Sequence, residues 1–150
     1  MTKLPLKRSA SATFLVKLIK PSHYDDDGYV IQWWRGFVPS NSLSALYGLA
    51  QSSQQRRILG DSVAIKIAAY DETTTAIPIK RIIRRFKRNG NQGLICFVGV
   101  QTNQFARAVD LARQFRTKGI KVMVGASTSA DASRCFPKRR RSLKRLSRLA

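Results

Sequence analysis

The chain has 150 residues, 43% of them hydrophobic, which is enough for the core of one domain and excludes an intrinsically disordered chain. Its net charge of +20 favours an anionic partner such as nucleic acid; residues 126–150 hold eight Lys/Arg and one Asp, so the remainder is also basic. No apolar run is long enough to span a membrane, and residues 1–20 lack a signal-peptide cleavage site, so we expect no membrane partner and a cytoplasmic location.

Four segments have the apolar, β-branched composition of strands, and helical patterns separate them. The predicted strands lie near 13–20, 62–70, 94–100 and 120–124. The third is apolar throughout, as expected of a central strand that is covered on both faces. The intervening helices begin after a Ser-rich N-cap at 39–42, at Pro78 and after residues 101–104. This alternation indicates right-handed βαβ units.

The sequence therefore predicts an α/β fold, a Rossmann-like parallel sheet with helices on both faces, over residues 13–125. Residues 1–12 are an N-terminal extension. A doubly wound sheet should continue with a further helix and strand after the fourth strand, but residues 126–150 are a small-residue and basic tail instead. We thus expect a sheet that is incomplete at its C-terminus and only marginally stable.

A long loop at 20–35 follows the first strand and contains the only histidine and both tryptophans. Ligands of open α/β sheets bind outside the carboxyl ends of the strands, so this loop is a candidate site. Its Asp25-Asp26-Asp27 run could bind a hard cation, although a solvated turn is the favoured interpretation. Trp33 and Trp34 are either core anchors or a flat apolar wall for a ligand.

The residues that catalysis and metal binding usually need are scarce in this chain. With a single histidine, a Ser-His-Asp triad or a Cys-His pair would have to use His23, which makes classical hydrolysis unfavoured. No Gly-rich phosphate loop follows any strand. Cys96, in a strand, and Cys135, in the basic tail, form neither a disulfide framework nor a metal site. We therefore predict no catalytic residues and no metal site built from these cysteines and carboxylates.

Five stretches of the sequence match one known family. They are Lys-Pro-Ser-His-Tyr-Asp-Asp-Asp-Gly-Tyr-Val-Ile-Gln-Trp-Trp-Arg (20–35), Pro-Ser-Asn-Ser-Leu (39–43), Ala-Tyr-Asp-Glu-Thr (69–73), Val-Gly-Val-Gln-Thr-Asn-Gln-Phe (98–105) and Val-Met-Val-Gly (122–125). Together they resemble the N-terminal cobalamin-binding domain of radical S-adenosylmethionine proteins. In that family the domain is a Rossmann-like sheet with cobalamin against the carboxyl ends of its strands. It precedes a barrel whose Cys-x-x-x-Cys-x-x-Cys motif holds a four-iron, four-sulfur cluster.

The resemblance implies that cobalamin is the cofactor and partner of this chain. A corrin ring is broad and apolar with an amide fringe, so flat contacts and scattered polar donors suit it. His23 lies in a loop comparable to that of the histidine in methionine-synthase-type domains but lacks the aspartate two residues before it, so cobalt ligation stays open. The residues that the resemblance assigns to the corrinoid or its nucleotide tail are Ser22, His23, Ser40, Asn41, Ser42, Tyr70, Asp71, Glu72, Gln101, Thr102, Asn103, Gln104 and Gly125.

Two departures from the family pattern concern the C-terminal part. The three-cysteine motif does not occur, so we expect no iron–sulfur cluster, no binding of S-adenosylmethionine and no catalytic activity from this chain alone. The family continues with a second glycine and an aromatic-His segment, where this chain has Ala-Ser-Thr at 126–128. Back-translation one base earlier permits Gly-Phe-His-Val-Ser-Gly-Cys, so we interpret the chain as truncated and frameshifted after Gly125. A genuine basic amphipathic tail is the alternative.

A basic nucleic-acid-binding module, such as a ribosome-associated protein, is the alternative function. The helix at 80–88 has an arginine-rich face, but no aromatic residues are interleaved on it for base stacking, so this function is not favoured. Structure can discriminate the two. Apolar strand ends that face a concave surface favour cobalamin, whereas closed loops beside a contiguous basic face favour nucleic acid.

Overall fold

A computed structural model describes residues 12–33 and 40–126, which form four strands and three α-helices. Each predicted strand lies within two residues of an observed one, so the α/β prediction is confirmed. None of the three helices is both long and apolar enough to cross a membrane. The elements are β1 (Ala12–Lys20), α1 (Asn41–Gln55), β2 (Val63–Asp71), α2 (Ile79–Arg88), β3 (Gly93–Val100), α3 (Phe105–Arg116) and β4 (Lys121–Ala126), with a 3₁₀ turn at Thr102–Gln104.

The strands form one parallel sheet in the order β2-β1-β3-β4. β3 lies between β1 and β4, as its continuous apolar sequence predicts. The chain moves outward from β1 to β2 and then crosses back to β3, so the strand order reverses between β1 and β3. At such a reversal the loops after neighbouring strands diverge and leave a crevice at the carboxyl edge of the sheet.

The larger hydrophobic core lies between the sheet and the helices α2 and α3. Phe86 of α2 and Phe115 of α3 are fully buried there together with Phe97 of β3. The rings of Phe97 and Phe115 are tilted, with centroids 6.5 Å apart, a favourable geometry for aromatic pairs. α2 buries only Ile82 and Phe86, so its polar face points away from the sheet.

The opposite face of the sheet has a smaller core beneath α1. Leu18, Cys96 and Val98 are buried there, but no residue of α1 itself is buried. Leu49 of α1 and Met123 of β4 remain 64% and 54% exposed. The described residues therefore cover this face less completely than the other.

Gly93, at the start of β3, provides a test of the packing between β1, α2 and β3. Its φ is +152°, and an added Cβ would lie 2.3 Å from the Leu15 carbonyl oxygen and 2.8 Å from Phe86 Cε1. We expect Gly93→Ala to lower the free energy of unfolding by about 3–5 kcal/mol, through overpacking and backbone strain. Urea denaturation measures the loss.

Gly48, in the middle of α1, is the matched control because a Cβ there meets nothing within 4 Å. Gly48→Ala should leave stability unchanged or raise it by about 1 kcal/mol, since alanine is the better helix former. A Gly93→Ala variant as stable as the wild type would contradict the close approach of Leu15 in β1 and Phe86 in α2 to this position.

Lys17 of β1 is a buried cation that gives stability a pH dependence. Its side chain is only 4% exposed, and its Nζ lies 5.9 Å from the centre of the Tyr70 ring. Burial lowers the pKa of this amine from 10.5, and the charge of Arg85 lowers it further. Because the unfolded chain then binds the proton more tightly, stability rises as pH increases from the folded pKa towards 10.5.

Lys17→Met keeps the apolar stem and removes the charge, so we expect a higher free energy of unfolding at pH 7 and a flatter profile towards pH 10.5. Denaturant unfolding at several pH values measures both. Lys66→Met, at an exposed position of β2, is the control. If Lys17→Met and Lys66→Met raise the free energy of unfolding equally, burial of the Lys17 charge does not destabilise the fold.

Candidate functional site

The loops that follow β1 and β2 meet at the carboxyl edge of the sheet. Glu72 directly follows β2, is 2% exposed, and donates its backbone N–H to the Lys20 carbonyl at 3.0 Å. Its carboxylate accepts the backbone N–H of Ser22 at 3.1 Å. Further along, the Trp33 N–H donates to the Thr73 carbonyl at 2.7 Å. The long loop after β1 is therefore fastened at both of its described ends to the turn after β2.

Arg107 of α3 supplies the charge that faces Glu72. Its Nη2 lies 2.6 Å from Glu72 Oε1, and its Nε lies 3.1 Å from both carboxylate oxygens. Its Nη1 donates to the Tyr24 hydroxyl at 3.2 Å, and that hydroxyl donates to Asp110 Oδ2 at 2.9 Å. We call Ser22, Tyr24, Glu72, Arg107 and Asp110 the Glu72 cluster. It joins the β1 loop and the β2 turn to α3.

The guanidinium of Arg107 is held in its charged form. Burial alone lowers the pKa of Arg107, but the hydrogen bonds that it donates to Glu72 and Tyr24, together with the negative charge of Glu72, outweigh it and raise the pKa above its usual range. A bidentate pair of this kind is a strong, directional contact. Glu72 has no hydrogen-bonding capacity left over for a ligand that does not displace Arg107 or Ser22.

The other acidic residues of this edge organise their own turns. Asp25 Oδ1 accepts the backbone N–H groups of Asp27 at 3.1 Å and Tyr29 at 2.7 Å, so the aspartate run is a solvated turn, as its sequence favours. Asp71 Oδ1 accepts the N–H of Thr73 at 3.0 Å. Across residues 12–33 and 40–126, no group of three or more His, Cys, Asp or Glu is arranged to hold a metal ion.

The first turn of α1 lies beside the end of β3. Ser40 is its N-cap, as predicted, and accepts a backbone N–H of the first turn at 3.4 Å. Gly99 has φ +62°, and a Cβ there would lie only 3.2 Å from Ser42 Cβ. The pairing of β3 with β4 also shifts register between Phe97 and Val100. This local irregularity allows α1 to approach the sheet closely at the reversal of strand order.

Four polar side chains of α1 and the 3₁₀ turn remain exposed near the place where Ser42 approaches Gly99. In the described part of the chain, none of them has a hydrogen-bond partner. Gln101 and Gln104 differ, because they form a capping box with one another and Gln104 is 7% exposed. We call the four exposed residues the polar rim: Asn41 and Ser42 of α1, with Thr102 and Asn103 of the 3₁₀ turn.

The remaining predicted residues are more scattered. His23 is half-buried in the β1 loop, Tyr70 packs against the larger core, and Gly125 is exposed in β4. Trp33 is 63% exposed, so its interpretation as a core anchor is wrong, and its role as a flat apolar wall for a ligand stays a prediction. Trp34 lies outside the described residues. The structure thus brings Ser22 and Glu72 together and Ser42 next to β3, without joining all the predicted residues in one pocket.

Sequence reasoning missed the contributions of Tyr24, Arg107 and Asp110. Arg107 precedes Ala108, which belongs to the buried stripe of α3, so its position predicts a half-buried side chain. A half-buried arginine needs a carboxylate, and Glu72 at the end of an apolar strand was available as its partner. Comparison with family models, curated proteins and solved structures finds no match to this chain, so function is argued from these residues.

The pair of Glu72 and Arg107 predicts a large and specific stability effect. Arg107→Met leaves a buried carboxylate without its counter-charge, and we expect the free energy of unfolding to fall by about 3–5 kcal/mol. Replacing Glu72 by Gln in the same variant should recover part of that loss, because the amide is neutral and its oxygen can still accept the Ser22 N–H. Denaturant unfolding at pH 7 compares the variants.

Arg113→Met, on the same helix, is the matched control. The Arg113 side chain is 75% exposed and lies 3.5 Å from Asp110. A surface pair of this kind contributes about 0–1 kcal/mol. If the Arg107 and Arg113 variants lose equal stability, or if Glu72→Gln deepens the loss in the Arg107→Met background, the buried pair does not hold this edge together.

Proposed function

We propose that residues 13–125 form a cobalamin-binding domain of the type that precedes a radical S-adenosylmethionine barrel, acting in the cytoplasm and without catalytic activity of its own. The observation that carries the proposal is the approach of Ser42 to Gly99 at the reversal of strand order. It brings an exposed helix start next to the end of the central strand. This is where ligands of open parallel sheets bind.

The polar rim supports the proposal by its chemistry. Its four side chains offer two amides and two hydroxyls, groups that both donate and accept hydrogen bonds. The amide fringe of a corrinoid needs such scattered neutral partners and no dense charge. Because the rim side chains are exposed and not engaged with described residues, they need break no internal hydrogen bond in order to bind.

A groove beside the same helix supports the proposal by its shape. It has a volume of about 300 Å³ and is lined by Leu43, Ser44 and Tyr47 of α1 together with Ala69 of β2. That volume is at the lower end of ligand pockets and suits part of a cobalamin, such as its nucleotide tail. The exposed Trp33 adds a flat apolar side chain at the carboxyl edge. When bound, cobalamin would supply a cobalt centre that the side chains of this chain do not provide.

We assign the Glu72 cluster a positioning role in this proposal. The buried pair fixes the loop that carries His23 and Trp33, while its carboxylate is occupied by Ser22 and Arg107. Glu72 therefore acts through the loop and not through contact with the corrinoid. The polar rim, in contrast, is the part of the predicted site that is free to touch the cofactor.

An open edge at the strand ends favours cobalamin binding, whereas closed loops beside a basic face favour nucleic-acid binding, and the molecule has features of both kinds. The loops after β1 and β2 are closed by the Glu72 cluster, whereas the edge at the end of β3 is open at the polar rim. All six basic residues of α2 are exposed, as a nucleic-acid-binding module requires. α2 and the polar rim involve different residues, so binding at one leaves the other available.

Titration with hydroxocobalamin and methylcobalamin, followed by visible absorbance, tests the cofactor. We expect binding by the full chain, and binding weaker by roughly tenfold in the double variant Asn41→Ala/Ser42→Ala. Each lost hydrogen bond is worth about 0.5–1.5 kcal/mol, and about 1.4 kcal/mol corresponds to a factor of ten. An unchanged spectrum and no retention of either corrinoid by the wild type would refute the proposal.

The control removes the same two functional groups from the other end of α1. Gln51→Ala/Ser52→Ala deletes one amide and one hydroxyl at exposed positions, and should leave the cobalamin affinity unchanged. His23→Ala tests cobalt ligation separately. A shift in the visible spectrum of the bound corrinoid supports His23 as a ligand of the metal, whereas an unchanged spectrum excludes that role.

A further inference from the structure

Helix α2 presents a continuous cationic surface on the face of the molecule that it covers. Its ten residues include six Lys/Arg and no acidic residue. Ile82 and Phe86 point into the core, so all six charged side chains are exposed on the other sides of the helix. We call these six residues the α2 basic face: Lys80, Arg81, Arg84, Arg85, Lys87 and Arg88.

Two grooves beside α2 extend this charge over the neighbouring surface. The larger has a volume of about 850 Å³ and is lined by Pro78 and residues along the whole length of the helix, including Arg81 and Arg88. The smaller, of about 190 Å³, adds Lys66 of β2 to Arg85 and Arg88. Neither lining contains a carboxylate. An anion that enters either groove therefore meets cations without a competing acidic group.

The six cations of the α2 basic face have no oppositely charged partner among residues 12–33 and 40–126. The ion pairs that the structure shows in this part use Lys20, Arg57, Arg107 and Arg113, none of which belongs to α2. Lys80 and Arg81 also stand in the first turn, where the helix dipole disfavours positive charge. Arg85, Lys87 and Arg88 lie in the last turn, where the dipole favours positive charge. The costs of the arrangement are therefore the two first-turn cations and the mutual repulsion of all six, and a bound polyanion would compensate both.

We propose that the α2 basic face binds the phosphate backbone of double-stranded nucleic acid without sequence preference. Phosphate contacts of this kind come from Lys and Arg side chains and fix position without reading sequence. The face carries no aromatic residue on which unpaired bases could stack, so a duplex fits better than a single strand. An anionic membrane fits less well, because the apolar residues Ile82 and Phe86 are buried and cannot insert.

The length of the helix matches the charge density of a duplex. Residues 80–88 rise about 12 Å along the helix axis at about 1.5 Å per residue. Double-stranded DNA carries about one negative charge per 1.7 Å, so a segment of this length presents about seven phosphates. Six cations on one face of α2 can thus neutralise several phosphates of one short segment.

Fluorescence anisotropy with a labelled duplex of about 20 base pairs, titrated over about 50–200 mM salt, tests this interface. We expect Lys80→Gln/Arg81→Gln/Arg84→Gln to weaken binding by at least about tenfold and to reduce the salt slope by about 2.7, because each neutralised phosphate contributes about 0.9 to that slope. The matched control, Arg56→Gln/Lys118→Gln/Lys121→Gln, removes the same charge from exposed positions outside α2 and should retain nearly all of the affinity and slope.

Three results would overturn the proposal. Equal reductions of affinity in the two triple variants would mean that overall charge, including that of residues 127–150, and not α2, determines binding. Tighter binding to a single strand of the same length would contradict duplex recognition. Tighter binding to vesicles of anionic lipid than to the duplex, abolished in the α2 variant, would make the surface a membrane contact. Circular dichroism of each variant, unchanged from the wild type, shows that the comparison concerns folded protein.

Discussion

The buried ion pair of Glu72 and Arg107 is the contact on which the carboxyl edge of this molecule depends. It connects the turn after β2 to α3 and, through the Ser22 N–H, the loop after β1. A buried pair is not a large net source of stability, because desolvation of the two charges offsets most of their attraction. Its consequence is specificity. Any other arrangement of these loops would leave one buried charge without its partner, so a single arrangement is favoured.

The order of the strands determines why this edge has two different halves. On the β1 and β2 side the loops are joined to α3 by the Glu72 cluster, whose polar groups are occupied by one another. On the β3 side the start of α1 approaches Gly99, and the polar rim stays exposed. The closed half holds the loop that carries His23 and Trp33. The open half supplies hydrogen-bonding groups, and the proposed cofactor contacts lie mainly there.

Much of the fold could be predicted from the sequence, because strand composition, helical spacing and capping residues each act locally. Ser40 caps α1 and the apolar segment at 94–100 is the central strand, as their residue types imply. The site was less predictable, because it depends on contacts between distant residues. Arg107 and Glu72 are 35 positions apart, so the helical spacing of α3 predicts a half-buried Arg107 but does not identify its partner. Trp33 was equally ambiguous, since hydrophobicity alone does not tell a core residue from an exposed apolar wall.

The charge on α2 is tolerated by the fold and is not required by it. Six pairs of basic residues on α2 are three or four positions apart, and at about 0.2–0.5 kcal/mol each they oppose the helix by roughly 1–3 kcal/mol. Ile82 and Phe86 are 2% and 0% exposed, and burial of two such side chains contributes about 3–6 kcal/mol. Hydrophobic anchoring therefore exceeds the repulsion, and α2 holds its form without a bound anion. A polyanion would meet a basic face that is already ordered, so binding would not have to meet the entropy cost of forming the helix.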